Sequence, residues 1–409
     1  MDKGTNNANN KPMPLEGIRV IEYGVFHAGP GAGSILGELG AEVIKIEDLK
    51  GDPERYWTGL GAVDFSMPDG ESFMFQISNR NKKGICLDIK RERGREIFHT
   101  LVKSADVFIT NLRKSTKNKL RIDYKSIYEI NSRIIYANVS GYGPEGPDSD
   151  LGAFDPMGQG RSGMMYLTGD KEPKILNLAV LDQTTTIAMS HAILTALLFR
   201  ERHGMGQEVD VSLFGSALWF QYTNMMMYGC MSIEQIPSDR LKGSPLRNCF
   251  RCKDEKWIVG AHHDERHWAL LCEVMGLPEI LNDPRFSDKE NRLANSKELI
   301  EIFDRVFATK TRDQWLDIFR SKGFMFCPVQ TIQEVFTDPQ AIENEYIVEF
   351  NHPALGKVKI PGYPIRFGSA GAGTRKFAPA LGEHTDMIMG QLGFTDKEIK
   401  KLTDEGVIR

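Results

Sequence analysis

The sequence predicts an α/β fold in which a doubly wound parallel sheet is accompanied by a smaller α+β domain. Short β-branched segments alternate with helical patterns through the first half of the chain, and the pattern changes near residue 226. The length of 409 residues also exceeds what one ordinary core holds. We expect a disordered polar tail at 1–14, a large domain formed by 15–225 and 346–409, and a small domain with linkers at 226–345.

The alternation of strand and helix patterns is clearest near the N-terminus. GIRVIEYG at 17–24 and AEVIKIE at 41–47 are β-branched and apolar, as is typical of buried parallel strands, and GAGSILGELG between them has helical spacing. KGICLDIK, a helical segment near 92–104, ADVFITN and RIIYANVSGYG continue the same alternation. Such repeats predict a parallel sheet with helices on both faces.

The later segments predict a long helix and then a second unit. TTIAMSHAILTALLFRERHG has a helical pattern that ends in basic residues and Gly204, a residue suited to a helix C-cap. A new set of strand patterns begins around NCFRCKDEKWIVGAH at 248–262, and two amphipathic helices follow within 297–323. GKVKIPGYPIRF and the helical EHTDMIMGQLG complete the chain.

The composition excludes several classes of protein. Hydrophobic residues make up 41%, charged residues 26% and the net charge is −4, so the basic excess of a nucleic-acid binder is missing. No apolar segment approaches the roughly 18 residues that cross a bilayer, and the N-terminus lacks the apolar region of a secretory signal. We therefore expect a cytoplasmic protein with no membrane or nucleic-acid partner. Cys249 and Cys252 form a CxxC without a second ligand pair, so no metal site is expected.

A glycine-rich segment, FHAGPGAGSILGELG, follows the first predicted strand. Glu47 falls where the ribose ligand of a dinucleotide site would lie, so a nicotinamide-dependent dehydrogenase is one alternative. However, the glycines do not follow the G-x-G-x-x-G order, and Pro30 interrupts the turn. Glycines that let a helix pack tightly on a strand fit equally well. His27 precedes this turn and is a candidate ligand for an oxygen-rich intermediate or a donor at the helix start.

Two basic segments, SNRNKKGICLDIK and TNLRKSTKNK, each lie beside a predicted strand. Their cations are Arg80, Lys82, Lys83, Arg113 and Lys119. Loops of this kind suit a multiply phosphorylated ligand if they flank one cleft. The alternative is that both loops are simply solvated.

A single acid, Asp182, stands where an apolar segment that we interpret as a strand meets a helical pattern in NLAVLDQTTT. A helix N-cap is the simplest interpretation. A carboxylate at the carboxyl edge of a parallel sheet also lies where open α/β folds bind ligands, and we expect the helix N-terminus to keep it ionised. An ionised, partly desolvated carboxylate can attack an activated acyl carbon and form an anhydride. Asp155, followed by Pro156, belongs to a turn or to the same site.

Taken together, these segments resemble the class III family of CoA-transferases, which includes the formyl-CoA and carnitine-CoA transferase types. The similarity extends from PLEGIRVIEYG to KKLTDEGVIR and includes HAGPGAGSILGELGAEVIKIE, NRNKKGICLDIK, FDPMGQGRSGMMYLTGD and NLAVLDQTTT. The resemblance implies a Rossmann-like large domain, a small domain and an interlocked dimer, which is formed by two identical chains or with a related subunit.

The activity that the resemblance implies is acyl-CoA:carboxylate CoA transfer. Asp182 aligns with the nucleophilic aspartate, which passes through an aspartyl anhydride and an aspartyl-CoA thioester. A coenzyme A thioester is then a substrate, and no tightly bound cofactor is needed. Succinyl-CoA is the expected donor, and the expected acceptor is an aryl-substituted succinate or a carnitine-like acid. WFQYTNMMMYG at 219–229 would line the acceptor pocket or, alternatively, belong to the dimer or domain core.

The resemblance also assigns roles to residues. His27 aligns with a glutamine that steadies the anhydride in relatives, and Asp155 lies beside the reacting centre. The positions expected to contact coenzyme A are Phe26, Ala28, Asn81, Lys83, Asn111, Leu112, Arg113, Lys119 and Phe154. The same superfamily includes 2-methylacyl-CoA racemases, which place a histidine before the acid that aligns with Asp155. Phe154 occupies that position here and cannot act as a base.

Overall fold

The computed structural model describes residues 11–168, 172–177, 179–234, 239–261 and 265–409. The chain forms two compact units. Of the described residues, the first contains 11–165, 174–177, 179–234 and 345–409, and the second contains 166–168, 172–173, 239–261 and 265–344. Among the helices of these described ranges, none combines the length and apolar character needed to cross a membrane.

A six-stranded parallel sheet forms the centre of the first unit. Its strands are β1 (Arg19–Glu22), β2 (Glu42–Glu47), β3 (Lys82–Cys86), β4 (Val107–Thr110), β5 (Ile135–Ser140) and β6 (Gln207–Ser212). The spatial order is β3-β2-β1-β4-β5-β6, and every neighbouring pair is parallel. This is the Rossmann order, in which the direction of strand addition reverses between β1 and β4. The α/β prediction is therefore confirmed.

Helices connect these strands and cover both faces of the sheet. The first unit contains α1 (Ala28–Glu38), α2 (Phe73–Asn79), α3 (Glu92–Lys103), α4 (Lys114–Leu120), α5 (Tyr124–Ile130), α6 (Asp155–Arg161), α8 (Val180–His203), α9 (Leu213–Phe220) and α10 (Tyr222–Met231), while α7 (Met164–Thr168) begins in this unit and ends in the second. A short 3-10 helix spans Pro53–Tyr56, and a two-residue ribbon pairs Gly59–Leu60 with Val63–Asp64. Gly204 ends α8 in the left-handed conformation, with φ 76°, as predicted.

The second unit has a small antiparallel sheet packed with helices. Its strands are β7 (Arg247–Arg251), β8 (Trp257–Ala261) and β9 (Phe326–Val329), in the order β9-β8-β7. Its helices are α11 (Trp268–Met275), α12 (Lys289–Ala294), α13 (Ser296–Phe307), α14 (Arg312–Ser321), α15 (Ile332–Val335) and α16 (Pro339–Glu343), with 3-10 turns at Glu265–His267, Pro278–Asn282 and Pro284–Phe286. The two amphipathic helices predicted within 297–323 are α13 and α14.

The C-terminal part of the chain returns to the first unit. It forms a hairpin of β10 (Ile347–His352) and β11 (Gly356–Pro361), followed by α17 (Thr385–Gln391) and α18 (Asp396–Asp404). Asn81 holds the intervening segment: its Oδ1 accepts from the amides of Arg375 at 2.7 Å and Lys376 at 2.9 Å, and its Nδ2 donates to the Gly373 carbonyl at 3.1 Å. The polar atoms of Asn81 thus join the start of β3 to the C-terminal chain.

Two sequence-based boundaries need correction. Residues 11–14 are not a free tail, because the Gly371 amide donates to the Pro12 carbonyl at 3.1 Å and Lys11 Nζ donates to the Gly368 carbonyl at 3.1 Å. Residues 1–10 lie outside the described part of the chain. The methionine-rich segment, where the second unit was expected to begin, continues as α10 to Met231 within the first unit.

The glycine-rich segment serves the close packing of α1 against α8. A Cβ atom on Gly31 would lie 2.6 Å from Thr186 Oγ1, so no larger residue fits there. Thr186 Oγ1 also donates to the Ala28 carbonyl at 3.1 Å. Glu47, the predicted ribose ligand, is buried and its Oε1 lies 2.8 Å from Arg55 Nη2. The packing interpretation therefore accounts for the glycines, and the ribose-ligand interpretation of Glu47 is wrong.

Four buried charges form a cluster beneath the carboxyl edge of the sheet. Lys45 Nζ lies 3.2 Å from Glu22 Oε1 and 2.9 Å from Asp52 Oδ2, and Lys82 Nζ lies 2.7 Å from Glu22 Oε2. All four side chains, those of Glu22, Lys45, Asp52 and Lys82, are inaccessible to solvent or nearly so. Lys82 is therefore an interior ion-pair partner, and its assignment to a solvent-facing basic loop is wrong.

Candidate active site

Open α/β sheets bind ligands at the carboxyl edge where the strand order reverses, which here lies between the segments that follow β1 and β4, and we call this region the crevice. Phe26 and His27 follow β1 there, and Asn111 and Arg113 follow β4. Asn111 fixes the first of these loops, since its Oδ1 accepts from the Val25 amide at 2.9 Å and its Nδ2 donates to the Val25 carbonyl at 2.6 Å. Asn111 thus shapes the crevice by holding the backbone that leads to His27.

Phe26 adopts an unusual backbone conformation next to this clamp. Its φ of 56° lies in the left-handed region, which costs a non-glycine residue about 1 kcal/mol or more. Asp52 supports it, because Asp52 Oδ1 accepts from the Phe26 amide at 3.3 Å. Since Asp52 is itself held by Lys45, the buried charge cluster stabilises the turn that presents His27.

Asp182 is the third residue of α8, and the prediction that it caps the helix is wrong. The residue that precedes the helix is Ala179, which has a φ of 45° and makes no side-chain cap. The apolar residues before it form no strand within 172–177 or at 179. Asp155 supplies the missing cap from α6: its Oδ2 accepts from the amides of Leu181 at 2.6 Å and Asp182 at 3.1 Å.

Asp155 is itself buried and firmly placed. It is the first residue of α6, and its Oδ1 accepts from Gln159 Nε2. Gln159 in turn bonds both backbone groups of Leu176, accepting from its amide and donating to its carbonyl at 2.9 Å each. These contacts bring the N-termini of α6 and α8 together and fix the position of Asp182.

The carboxylate of Asp182 is half-buried and receives no hydrogen bond from any described residue. Burial, and secondly the negative charge of Asp155, raise the pKa of Asp182 to about 7. This direction is opposite to the expectation that the helix N-terminus keeps the group ionised. The physical reason is that Asp155 occupies two of the free amides of the first turn, those of Leu181 and Asp182, so Asp182 is left beside a like charge.

His27 lies near Asp182 because it contacts Gln183, the residue that follows Asp182 in α8. Its Nε2 is 3.1 Å from Gln183 Oε1, and its Nδ1 is 2.8 Å from Ser78 Oγ. Burial lowers the pKa of His27, and the nearby Arg80 and Lys82 act in the same direction. The imidazole is therefore neutral near pH 7, when it carries one donor and one acceptor nitrogen.

An aromatic row borders the same crevice. The Phe26 ring packs edge-on against Phe154 at 5.3 Å and against Trp57 at 6.3 Å between centroids, and Trp57 continues to Phe65 at 5.5 Å. Phe154 is 54% exposed, so this apolar face is accessible. The sequence analysis identified Phe26 and Phe154 but missed Trp57, Ser78 and Gln183. Gln183 had a signal, its position directly after Asp182, whereas Trp57 and Ser78 had none.

The structure separates the two basic segments that were expected to flank one cleft. Arg80 and Lys83 lie at the start of β3, on the amino edge of the sheet, whereas Arg113 follows the carboxyl end of β4. Lys83 Nζ lies 2.6 Å from Glu42 Oε1, and Arg80 Nε lies 2.7 Å from Glu38 Oε1. In a parallel sheet, residues before and after strands lie at opposite edges. Lys83 and Arg113 therefore do not flank one cleft, whereas Arg80 lies near enough to His27 for its charge to lower the pKa of that imidazole.

The other predicted coenzyme A contacts differ in accessibility. Arg113 and Lys119 are both exposed. Arg113 lies directly before α4, at the carboxyl edge, and Lys119 lies within that helix. Leu112 is partly buried against the core, and Ala28 is buried at the start of α1. The stripe at 219–229 does not belong to the core of this unit, since Trp219 is 73% exposed and α10 buries none of its residues.

No group of three or more histidine, cysteine or acidic side chains with metal-binding geometry occurs in the described ranges. The crevice contains a carboxylate with a raised pKa, a neutral imidazole and a buried acid that caps the helix. Such a set suits nucleophilic attack by Asp182 and hydrogen bonding by His27.

Comparisons with known proteins identify the family of this chain. The model of CoA-transferase family III matches residues 15–385. An acyl-CoA transferase of Fusarium pseudograminearum is 32% identical, with 98% of this chain and 90% of the fungal one covered. The succinyl-CoA:glutarate CoA-transferase of Mus musculus is 33% identical, covering 97% of this chain and 90% of the mouse one. A CAIB/BAIF family protein from Brucella suis superimposes with a TM-score of 0.83 at 30% identity, covering 93% of this chain and 100% of that one. This chain belongs to CoA-transferase family III and is an enzyme that transfers coenzyme A.

Proposed function

We propose that the enzyme moves coenzyme A from an acyl-CoA donor to a carboxylic acid, with Asp182 as the covalent nucleophile. The observation that carries this proposal is the state of Asp182. Its carboxylate has no hydrogen-bond donor among the described residues, yet its backbone is held in place by Asp155 at 3.1 Å. A carboxylate that is positioned but not stabilised is suited to attack an acyl carbon.

The proposed reaction has two mirrored halves. A carboxylate oxygen of Asp182 attacks the thioester carbonyl carbon, the C–S bond breaks, and a mixed anhydride and the CoA thiolate result. The thiolate then attacks the Asp182 carbonyl carbon, which releases the donor acid and leaves an aspartyl-CoA thioester. The acceptor carboxylate attacks that thioester, forming a second anhydride, and the thiolate takes the acceptor acyl group. Asp182 is then free again.

His27 and Asp155 support this chemistry in different ways. The neutral His27 can donate one N–H to the negatively charged oxygen that develops on the attacked carbonyl. Asp155 acts through the backbone of α8, since it bonds the amides of Leu181 and Asp182. The residue before Asp155 is Phe154, which has no titratable group, and this favours transfer over racemisation.

The carboxyl edge offers contacts for coenzyme A and for an apolar acyl group. Arg113 and Lys119 are exposed, and within the described ranges neither forms an ion pair with a carboxylate, so both are available to phosphates. Phe26, Trp57 and Phe154 form an apolar face next to His27. We assign succinyl-CoA as donor, for which the mouse relative is also named, and an acid with a bulky substituent, such as an aryl-substituted succinate or a carnitine-like acid, as acceptor.

A second chain completes the assembly in this proposal. The large apolar residues that α9 and α10 expose are Trp219, Phe220, Tyr222, Met226, Met227, Tyr228 and Met231. Large exposed apolar patches mark interaction surfaces. An interlocked dimer, with a second copy or a related subunit, would cover them.

Half-reactions test the proposed function. The enzyme is incubated with succinyl-CoA alone, and we expect its intact mass to increase by an aspartyl-CoA adduct that hydroxylamine removes. After excess donor is removed, acids from a panel are added, and we expect aryl-substituted acids to discharge the adduct as new acyl-CoA faster than small dicarboxylates do. An enzyme that turns over without any adduct would refute the covalent role of Asp182.

The pH dependence gives a separate prediction. Because only the ionised Asp182 attacks, kcat/KM for the donor should rise as the pH increases through about 7, the value to which burial and Asp155 raise the pKa of Asp182. Asp155→Asn keeps an oxygen that can accept from the Leu181 amide but removes the charge, so the rise should shift about one unit toward lower pH.

Glu96→Gln is the matched control for this shift, since it removes one negative charge from the surface of α3. Its profile should equal that of the unaltered enzyme. A profile that Asp155→Asn leaves unmoved would contradict the electrostatic coupling of the two acids.

A further inference from the structure

A continuous row of hydrogen bonds leads from His27 into the protein interior. His27 Nδ1 lies 2.8 Å from Ser78 Oγ, and Ser78 Oγ lies 3.0 Å from Glu54 Oε1. Ser78 is 0% and Glu54 1% exposed, whereas the other ring nitrogen, Nε2, faces Gln183 on the crevice side. The row therefore connects a buried carboxyl group to the imidazole beside Asp182.

The serine hydroxyl has one proton for two contacts, so the direction of the row determines the tautomer of His27. If Ser78 donates to Glu54, then His27 must donate from Nδ1, and Nε2 has no proton. If Ser78 donates to His27, then Glu54 must be protonated and donate to Ser78, and Nε2 carries the proton. The Ser78 backbone is fixed for this purpose, as its carbonyl accepts from Ser34 Oγ at 2.8 Å.

The surroundings of Glu54 favour the second direction. Its Oε2 is buried and has no hydrogen-bond partner in the described part of the chain, which would be costly for an ionised carboxylate. Asp52 is next to it, and Asp52 Oδ1 accepts from the Glu54 amide at 2.9 Å. The nearby cations Lys45 and Lys82 are each paired with Glu22. Burial and Asp52 raise the pKa of Glu54 to about 8, so the acid is largely neutral at pH 7.

The crevice side of the ring agrees with the same direction. Gln183 Oε1 lies 3.1 Å from His27 Nε2, and an amide oxygen can only accept a hydrogen bond, so the contact requires an N–H group on Nε2. Gln183 adjoins Asp182 in α8, so an Nε2–H group here faces the region where the attacked carbonyl must lie.

We propose that Glu54 and Ser78 are positioning residues which hold His27 as the Nε2–H tautomer, so that a neutral N–H donor faces the reacting carbonyl beside Asp182. Protonated Glu54 donates to Ser78 Oγ, and Ser78 donates to His27 Nδ1. One part of this inference rests on the proposed function: the identification of the hydrogen-bond acceptor as the reacting carbonyl. The tautomer itself does not, because it is a property of the enzyme without substrate.

Nitrogen-15 NMR of the histidine-labelled, full-length enzyme without substrate tests the tautomer directly. Comparison with His27→Gln identifies the His27 resonances. At pH 7 we expect a protonated Nε2 and an unprotonated Nδ1. The opposite tautomer in the unaltered enzyme overturns the inference, and this result does not depend on how any variant folds.

Variants then test the two positioning residues. Glu54→Gln can still donate to Ser78 through its amide, so the Nε2–H tautomer should persist, whereas Glu54→Ala and Ser78→Ala should give a mixture of tautomers. Ser78→Ala should also lower kcat by about 10-fold or more while changing the KM of the donor little, because the lost interaction belongs to the transition state. A loss of the tautomer in Glu54→Gln would mean that Glu54 acts as a carboxylate and would overturn the proposal.

Ser72→Ala is the matched structural control. Ser72 caps the same helix, α2, at its other end by accepting from the Met74 amide at 3.1 Å. This variant should melt at a lower temperature but keep the tautomer and kcat. If it changes both as Ser78→Ala does, the effect of Ser78 is merely structural. If the tautomer is as expected but no adduct forms on Asp182, the proposed function is refuted, whereas the positioning of His27 by Glu54 and Ser78 is still supported.

Discussion

Asp182→Asn is expected to lower CoA transfer by at least about 10⁴-fold, as is typical when a covalent nucleophile is removed. An amide is a poor nucleophile and cannot form the anhydride or the aspartyl-CoA thioester. The measurement is exchange of labelled coenzyme A between succinyl-CoA and an acceptor acid, together with the intact mass after incubation with the donor. Asp182→Ala should behave in the same way.

Stability measurements separate lost chemistry from lost structure in this variant. The pKa of Asp182 is raised to about 7, above its unfolded value, so the folded protein binds more protons between about pH 4 and 7. Ionised Asp182 thus destabilises the fold as the pH rises through this range, and the full effect is present above pH 7. Asp182→Asn should therefore be more stable by about 2 kcal/mol at pH 8, after a reduction for the partial exposure of the group. Lower stability at pH 8, or retained transfer, would contradict the account of Asp182.

Lys45→Met is expected to destabilise the first unit by about 3–5 kcal/mol, since it removes the partner of two buried carboxylates. Lys45 Nζ lies 3.2 Å from Glu22 Oε1 and 2.9 Å from Asp52 Oδ2, and its side chain is fully buried. The loss is a large fraction of the stability of an ordinary domain. Urea unfolding followed by circular dichroism measures it. Transfer should also fall, because Asp52 supports the backbone of Phe26 ahead of His27.

Lys90→Met is the control for this substitution. Lys90 forms a similar ion pair with Asp48 at 2.8 Å, but its side chain is 64% exposed. Solvent screens such a pair, so the change in the free energy of unfolding should stay within about 1 kcal/mol. Equal losses for the two variants would show that burial does not determine the strength of the charge cluster.

Asp155 and Asp182 both lie at the N-terminus of α8, but only Asp155 accepts hydrogen bonds from the free amides of this helix end. Asp155 takes the Leu181 and Asp182 amides, which would otherwise stabilise the Asp182 carboxylate. The helix is capped, but the Asp182 carboxylate receives no hydrogen bond from the described residues. Asp182 is therefore positioned by its backbone, and its negative charge is unfavourable at neutral pH. In the proposed mechanism, this arrangement leaves its oxygens available for nucleophilic attack.

Much of the first unit was predictable from local patterns. Val20 and Ile21 are adjacent in β1 and enter the two opposite cores, which is the expected behaviour of a strand covered on both faces. The periodicity of α3, α13 and α14 likewise depends on neighbouring residues only. Two observations identified Asp182, Asp155 and His27: their positions next to predicted ends of strands or helices, and the resemblance to class III CoA-transferases. The structure brings all three residues to the same crevice.

Other features depend on residues that are distant in the sequence. The cap of α8 comes from Asp155, 26 residues before Leu181, so the local pattern wrongly assigned the cap to Asp182. Lys82 pairs with Glu22 on β1, and Lys83 pairs with Glu42 on β2. Because both partners are distant in the sequence, the two lysines appeared from the local pattern to belong to a basic loop. Apart from the segment before Asp182, which was interpreted as a strand and forms none in its described residues, the sequence by itself determined which of these segments form strands and helices, because their hydrophobic spacing is local. Only the tertiary structure decided which polar atoms satisfy one another, because each hydrogen bond or ion pair needs a partner whose distance is set by the whole fold.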